Sequence, residues 1–570
     1  MTLDWKNKDV RFFLFAACLG LATALVFSAI SFSWARRTPP GWVYSGFLQS
    51  DQHQYTAIAR EVFERGSGLT YVIPYSLDDD PAPVYFHWTF IALAWLQRLT
   101  GLPYPVCWEL WRALWSTAFF LSFALLLDRI LPSGKMRTLV FILVMYGGGI
   151  AAALAGANRL LLPLAGGQGS EFLDAFAATE GAYHWWFLNL FRNVLYPLEA
   201  TYHCLFFLTL WAAISQRGKT FLVAFAATAA CGVFTTANLA VILGPWFAIE
   251  CLIVWRRRSD LAALPGPFLK QSMVAFILVI AVFLIYYAVV VPAYGEEGAA
   301  MLRQHTQYPM PLIPLRGYLK AYFWPLAGTL LALASPAVRR WLAGEPRGRL
   351  LIVWIVGTIL LANNHWVLRP DGIQPPHFTR GYLYAALALC AAVGLQLQQE
   401  KWRSWLRLAN KRTAVLVALA AIVLLTSDNL AFVAEIAART PHPRVLTFEQ
   451  QTREALEAIE AQGTPGKRLN VLNLGDDKIG ILIPVYTRHN PFLADVIPTP
   501  DYYGRQADLE AWIRGGGQTP LLEKYAIDLI VIPRRLYSNP TIQRAIRGKA
   551  DQVWQNGLWV LLRIPSINPS

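Results

Sequence analysis

The sequence predicts an all-α polytopic membrane bundle of about eleven transmembrane helices, followed by a C-terminal α/β domain on the outer side. Three observations predict it. Of the 570 residues, 55% are hydrophobic and only 15% charged, against about 25% charged in an ordinary soluble domain. Apolar runs long enough to cross a bilayer recur along the first three quarters of the chain. Beyond residue 433 the pattern changes to short β-rich runs alternating with helical ones. The 22 Trp, 23 Tyr and 31 Phe fit long membrane interfaces, where amphipathic rings settle.

The apolar runs lie near 12–34, 107–127, 138–157, 196–214, 219–234, 237–255, 272–292, 318–336, 350–366, 381–398 and 413–433. The fifth and sixth are cut from one stretch, 219–255, too long for a single span, with a turn expected at Thr235-Thr236-Ala237-Asn238. The first run is too long for a signal-peptide core and lacks a small-x-small cleavage site after it. Six cysteines are scattered through apolar runs without CxxC spacing, so neither a disulfide framework nor a cysteine zinc site is indicated.

The net charge of +14 first points to nucleic acid, but its distribution points to topology. One set of five short loops carries eighteen Lys and Arg, among them Arg256-Arg257-Arg258 and Lys401 to Arg412. The four short loops of opposite parity carry six: Arg159, Arg192, Arg303, Arg316, Arg369 and Arg380. The positive-inside rule puts the first set in the cytoplasm. The N-terminus is then cytoplasmic, the tail is outside, and nucleic acid is not a partner. The expected division is a membrane domain over 1–433, including a first outer loop at 35–106, and an extracytoplasmic domain over 434–570.

In the tail, Glu449–Gln462 and Asp508–Arg514 read as helices, and Arg468–Leu474, Ile527–Pro533 and Leu558–Ile564 as strands. Gly515-Gly516-Gly517 reads as a helix C-cap and turn rather than a phosphate cradle. The tail has no GxGxxG after a strand and no His/Cys cluster, so a binding or scaffolding role is expected.

The first outer loop holds the candidate chemistry. Ser50 is placed to cap a helix with Asp51 in its first turn. Asp51, Tyr55 and Ile58 share one helical face, which is expected to lie on the membrane surface. Asp78-Asp79-Asp80 and Tyr85-Phe86-His87 follow, then an amphipathic stretch, Thr89–Leu99, expected at the interface.

A first span, an outer loop opening with Asp51-x3-Tyr55-x3-Ala59-Arg60, a later Tyr85-x-His87, many further spans and an outer α/β tail together resemble the GT-C class of integral membrane glycosyltransferases. These enzymes use polyprenyl-phosphate-linked sugars as donors. The likeness covers nearly the whole chain in architecture and rests in sequence on the Asp51 motif. It implies a hexosyl- or pentosyltransferase of the plasma (inner) membrane. The donor would be a polyprenyl-phosphate sugar, and the partners membrane lipids and an extracytoplasmic acceptor. A sugar on a lipid phosphate already has an anionic leaving group. The enzyme must supply a base for the acceptor hydroxyl and positive charge for the departing phosphate. Carried over, the base is Asp51, with Tyr55, Arg60, Tyr85 and His87 beside it as substrate-binding candidates.

The polar loop at 363–380 supplies the phosphate candidates Arg369 and Arg380, helped by His365 and His377. Arg suits phosphate by its forked donors. No cofactor is implied with certainty. A divalent cation is a candidate, with Asp79, Asp80 or the i, i+4 pair Glu199 and His203 as ligands. Glu171, Asp174 and Glu180 are candidates for a second functional acid, and His184 reads as an interface anchor. The loop holding Arg303 and His305 reads as a cover over the site. Glu250 is an isolated acid within a span. Two further enzyme readings are a polymerase or a ligase of lipid-linked envelope glycans. A transporter or flippase would require paired broken spans from an internal repeat, and the sequence has no such repeat.

Overall fold

The computed structural model describes residues 8–78, 83–131, 136–164, 171–180, 189–256, 266–296, 298–300, 315–364, 375–399, 404, 411–439, 446–464, 466–475 and 477–565. The predicted apolar runs fall on helices. The bundle is organised around helix Tyr104–Ile130, which packs on Lys8–Arg37 and Pro197–Ile214. Gly20 permits the first contact: a Cβ there would stand 2.7 Å from the Ser116 carbonyl oxygen, so the two backbones meet over a missing side chain. Buried Phe119, Phe120, Phe123, Phe206 and Phe207 fill the core of the bundle.

Among the described residues, six helices are long and apolar enough to cross a membrane, or up to eight if each of two bent pairs counts as one span. The predicted span 138–157 is one bent pair, broken by 67° between Met136–Tyr146 and Ala151–Leu160. Gly147-Gly148-Gly149 makes the break, and two neighbours on helix Lys411–Ala438 satisfy its loose backbone ends. Asp428 accepts from the Gly149, Ala151 and Ala152 N–H groups at 2.7–3.2 Å. Asn429 donates to the Tyr146 and Gly147 carbonyls at 2.7 and 3.1 Å. The predicted span 318–336 leads into the second bent pair, with a 93° turn between Leu315–Ala334 and Pro336–Gly344.

The expected turn at 235–238 is misplaced. The break falls at Ala230-Cys231-Gly232, between helices Gly218–Ala229 and Val233–Arg256. Thr236 instead donates back to the Gly232 carbonyl, a bond that lets threonine sit inside a helix. Thr235 meets the Tyr382 hydroxyl, and Asn238 accepts from Thr358. Helix Gly218–Ala229 has 12 residues, about 18 Å of rise, short of a bilayer core. Glu250 is held by a two-pronged Arg349 contact, both distances 2.6 Å, so the acid within the span is a paired one.

The tail is a three-layer α/β domain. Its five-stranded sheet has the order β4-β3-β5-β7-β6, with β3 Asn470–Asn473, β4 Asn490–Pro491, β5 Ile527–Pro533, β6 Asp551–Gln555 and β7 Trp559–Arg563. β3 runs parallel to β4 and β5, and β7 antiparallel to β5 and β6. Leu529 and Val531 face one core with Leu456 and Ile459 of helix Gln450–Ala461. Ile530 and Ile532 face the other with Trp512 and Ile542. The strand is apolar on both sides because both faces are covered. Helix Asp477–Tyr486, β4 and β6 lie outside the predicted elements. Gly515 ends helix Tyr502–Arg514, its N–H donating to Ala511, as a C-cap does.

Three contacts join tail and membrane domain. β1 (Trp42–Tyr44), just after the first span, pairs antiparallel with β2 (Thr447–Glu449), which leads into the tail. Arg505 and Asn470 donate to the carbonyls of Tyr75 and Leu77 in the first outer loop. The third is a buried ion cluster. Glu61, 0% exposed, accepts from Arg65 at 2.7 Å and from Arg468 at 2.8 Å. Arg65 also donates to the Pro484 and Thr487 carbonyls. Cations thus meet the open carbonyls and negative dipole end of helix Asp477–Tyr486.

Candidate functional site

Helix Asp51–Phe63 begins at Asp51, the first acid after the first span. The serine before it does not cap it: Ser50 has helical backbone angles and its side chain makes no cap bond. Gln52 closes the turn instead, its Oε1 accepting from the Leu48 and Gln49 N–H groups at 3.0 and 3.1 Å. The helix packs on neighbouring protein. Tyr55 stacks on Phe90 at 5.3 Å between ring centroids, and Thr56 accepts from the Trp108 indole at 2.9 Å. Neighbouring helices Trp88–Thr100, Tyr104–Ile130 and Asp477–Tyr486 cover the face that would have met lipid.

A small, partly open cavity of roughly 20 Å³ sits at the start of this helix. Asp51, Gln52 and Tyr55 line it, with Gln49 and Trp108 on the same side. Opposite stand Tyr196, Glu199 and Tyr202 from the start of helix Pro197–Ile214, and Arg380 from the late outer loop. Arg380 is the one cationic side chain among the described residues lining the cavity.

Each group is held from behind. Arg112, 0% exposed, pairs with Glu109 at 3.0 Å and donates to the Val194 and Leu195 carbonyls, fixing the turn that carries Tyr196 and Glu199. Arg380 donates to Glu199 Oε1 at 2.6 Å. His203 lies between two carbonyls, Nδ1 at 2.8 Å from that of Glu199 and Nε2 at 2.6 Å from that of Arg380. Gly381, at φ +86°, follows directly. A Cβ there would stand 2.6 Å from Asn193 Nδ2 and 2.9 Å from His203 Nε2, so only glycine lets the chain turn from Arg380 into helix Tyr382–Leu397.

Burial pushes the Asp51 carboxyl above its ordinary range. Arg380 opposes the shift, the nearby Asp495 carboxylate adds to it, and hydrogen bonds from Gln49 and Ser50 favour the ionised form. Asp495 comes from the tail, just beyond β4, so the tail contributes a second carboxylate to the field around Asp51.

The predicted residues divide as follows. Asp51, Tyr55, Glu199 and Arg380 line one cavity. His87 stands behind it: Nε2 meets the Tyr202 hydroxyl at 3.1 Å, Nδ1 meets Thr89 at 2.6 Å, and the ring stacks on Phe90. Burial holds the His87 imidazole down to about 3, so it is neutral there. Arg60 is not among the cavity-lining residues. It pairs with Glu64 at 2.6 Å and donates to the Pro484, Val485 and Thr487 carbonyls, at the helix end that Arg65 also caps. Tyr85 pairs backbone to backbone with Tyr71 and is absent from the cavity wall. His377 stacks on Phe234 at 3.9 Å and is absent from it too.

The Glu199–His203 pair is held by contacts within the protein. Both imidazole nitrogens meet carbonyls, and the carboxylate is engaged by Arg380. Among the described residues no group of three or more His, Cys, Asp or Glu gathers to hold a metal. Glu180 pairs with Arg192 at 2.5 Å. Asp174 and Glu171 are not among the cavity-lining residues. Asp79, Asp80, His184, Arg303, His305, His365 and Arg369 lie outside the described residues.

Sequence reading missed Gln49, Gln52, Trp108, Tyr196, Tyr202 and Asp495. Helical spacing could have found Tyr202, three residues from Glu199 on one helix. Asp495 had no local signal, because a separate domain brings it in.

No known family's sequence profile matches the chain, and no curated protein does. Solved structures do resemble it. The arabinofuranosyltransferase AftD from mycobacteria superposes with a TM-score of 0.52 at 15% identity, over 98% of this chain and 40% of AftD. ArnT from Cupriavidus metallidurans, solved with undecaprenyl phosphate, gives 0.47 at 15% identity, over 96% of this chain and 98% of that one. The oligosaccharyltransferase AglB from Archaeoglobus fulgidus, solved with an inhibitory peptide and a dolichol-phosphate, gives 0.45 at 11% identity, over 93% and 71%. The AftD likeness shows that this chain has the GT-C fold.

Proposed function

We propose that this protein is a membrane glycosyltransferase that moves a sugar from a polyprenyl-phosphate donor to an acceptor outside the membrane. The observation that carries the reading is the meeting of Asp51 and Arg380 on one cavity, from chain segments far apart in sequence. Base and cation are the two groups that the chemistry of such a donor requires.

In this reading the acceptor hydroxyl oxygen bonds to the anomeric carbon of the sugar. The bond from that carbon to the phosphate oxygen breaks, and its electron pair leaves with the lipid phosphate. Asp51 takes the acceptor's proton. Gln49 orients the carboxylate through its hydrogen bond. Arg380, aligned by Glu199, meets the negative charge that grows on the leaving phosphate. Tyr55, Tyr196 and Tyr202 give the sugar amphipathic walls, and His87 positions Tyr202.

The membrane assignment rests on the apolar helices. The loop charges favour a cytoplasmic N-terminus and an outer tail. The AftD likeness supports the transferase class through its fold, and ArnT and AglB are named with polyprenyl-type lipid phosphates. The test is mass spectrometry of envelope glycans and glycolipids from cells with and without the protein. Loss of one sugar residue is the expected result. Shortened chains would favour the polymerase or ligase reading, and unchanged glycans would overturn both.

A further inference from the structure

Among the described residues, the Gln52 side-chain amide at the cavity has a donor with no acceptor. Gln52 is 1% exposed and lines the cavity beside Asp51. Its Oε1 accepts from two backbone N–H groups, of Leu48 and Gln49. That fixes the amide orientation, since the flipped form would set NH₂ against two donors. Nε2 therefore points the other way, and among the described residues it has no hydrogen-bond partner. A buried amide donor without an acceptor is costly in a folded protein. The fold keeps it at a cavity wall, where a ligand oxygen can complete it.

The surroundings select the ligand. The charged groups of the wall are two carboxyls, Asp51 and Glu199, and one guanidinium already bonded to Glu199. Asp495 adds a further negative field around Asp51. An anionic oxygen at Gln52 would face those carboxylates. A neutral hydroxyl would not, and the rings of Tyr55 and Trp108 on the same wall suit the apolar face of a sugar. We propose that Gln52 is a specificity residue whose Nε2 donates to a sugar hydroxyl, separating the sugar subsite from the phosphate side at Arg380. This rests on the glycosyltransferase reading above.

The test uses the full chain in lipid nanodiscs and three kinds of probe. One is a panel of decaprenyl-phosphate monosaccharides, the donor source of the hydroxyl. Another is octyl glycosides of the same sugars, the acceptor source. The third is decaprenyl phosphate without sugar. Gln52→Leu removes the donor and the loop anchor together. Gln52→Glu keeps an acceptor for Leu48 and Gln49 and removes the amide donor. The expected result is that both variants lose affinity for a sugar-bearing probe by roughly tenfold and bind bare decaprenyl phosphate within about twofold of wild type. Retained binding of bare decaprenyl phosphate by Gln52→Glu shows that the variant keeps its fold, which assigns the loss to the ligand and not to the loop. Loss with the donor panel or with the octyl glycosides identifies which sugar Gln52 reads. Unchanged affinity for both in both variants overturns the assignment. A wild-type protein that binds no sugar-bearing probe better than bare decaprenyl phosphate overturns the assignment and the transferase reading together.

Discussion

Arg380 Nη1 stands 2.6 Å from Glu199 Oε1, and this contact joins the late outer loop to the start of helix Pro197–Ile214. Both side chains are largely buried, at 16% and 9% exposure. Removing one partner leaves the other charge poorly compensated, at a cost of about 3–5 kcal/mol for a fully buried pair. Glu199→Gln is therefore expected to lower the melting temperature and to raise KM for a lipid-linked donor, because Arg380 loses its alignment. A thermal melt together with donor titration checks both. An unchanged melt would show that the pair is not holding the loop.

Arg380→Ala should weaken donor binding more than acceptor binding, because the guanidinium is assigned to the phosphate. Steady-state kinetics with each substrate varied in turn reads the difference. Equal effects on the two KM values would remove the phosphate role.

Asp51→Asn should abolish transfer while leaving the protein folded and inserted in the membrane. Loss of a positioned base costs about 10²–10⁴-fold in rate. An undiminished rate would remove the base assignment.

The raised pKa of Asp51 has two consequences with opposite signs. As a base the group must be ionised, so activity should fall on the acid side at a pH above that of an ordinary aspartate, about 3.9. For stability, the folded state holds the proton more tightly than the unfolded state. That contribution is complete below the unfolded pKa and is lost as pH rises through the folded one. Asp51→Asn should thus melt higher than wild type at neutral pH, with the gap closing towards pH 4. A gap that stays constant with pH would show that Asp51 ionisation is not penalised by the fold.

Glu61→Gln should loosen the tail. It removes the charge that Arg65 and Arg468 share, and breaking such a buried cluster costs about 3–5 kcal/mol. Limited proteolysis should then cut between the membrane domain and residue 450 faster than in wild type. An unchanged cleavage rate would show that the Glu61 cluster is not what holds the tail.

Local patterns made much of the fold readable. Ile527–Pro533 coincides with β5 because an apolar run of β-branched residues with both faces buried has few other solutions. Asp51 was readable because an acid at the head of the first outer loop is conspicuous in a chain so poor in charge. The cavity around it was less so. Trp108 and Tyr196 look like any interface aromatics, and Arg60 looks like a substrate cation until the tail's helix end is seen above it. Thr235 and Thr236 read as a turn because their hydroxyl groups invite one. In the fold those groups bond within the bundle, and Gly232 makes the break. Thr236 bonds only four residues back, but Thr235, Trp108 and Arg60 have partners far along the chain, which no sequence window contains.

The β1–β2 ribbon fastens the first outer loop to the tail within a few residues of the first span, and Arg60, Arg65 and Arg468 fasten them again farther out. Asp51 and Asp495 therefore belong to a single rigid frame, although one comes from each domain. Parting the tail from the first outer loop would have to break both the strand pairing and the buried ion cluster.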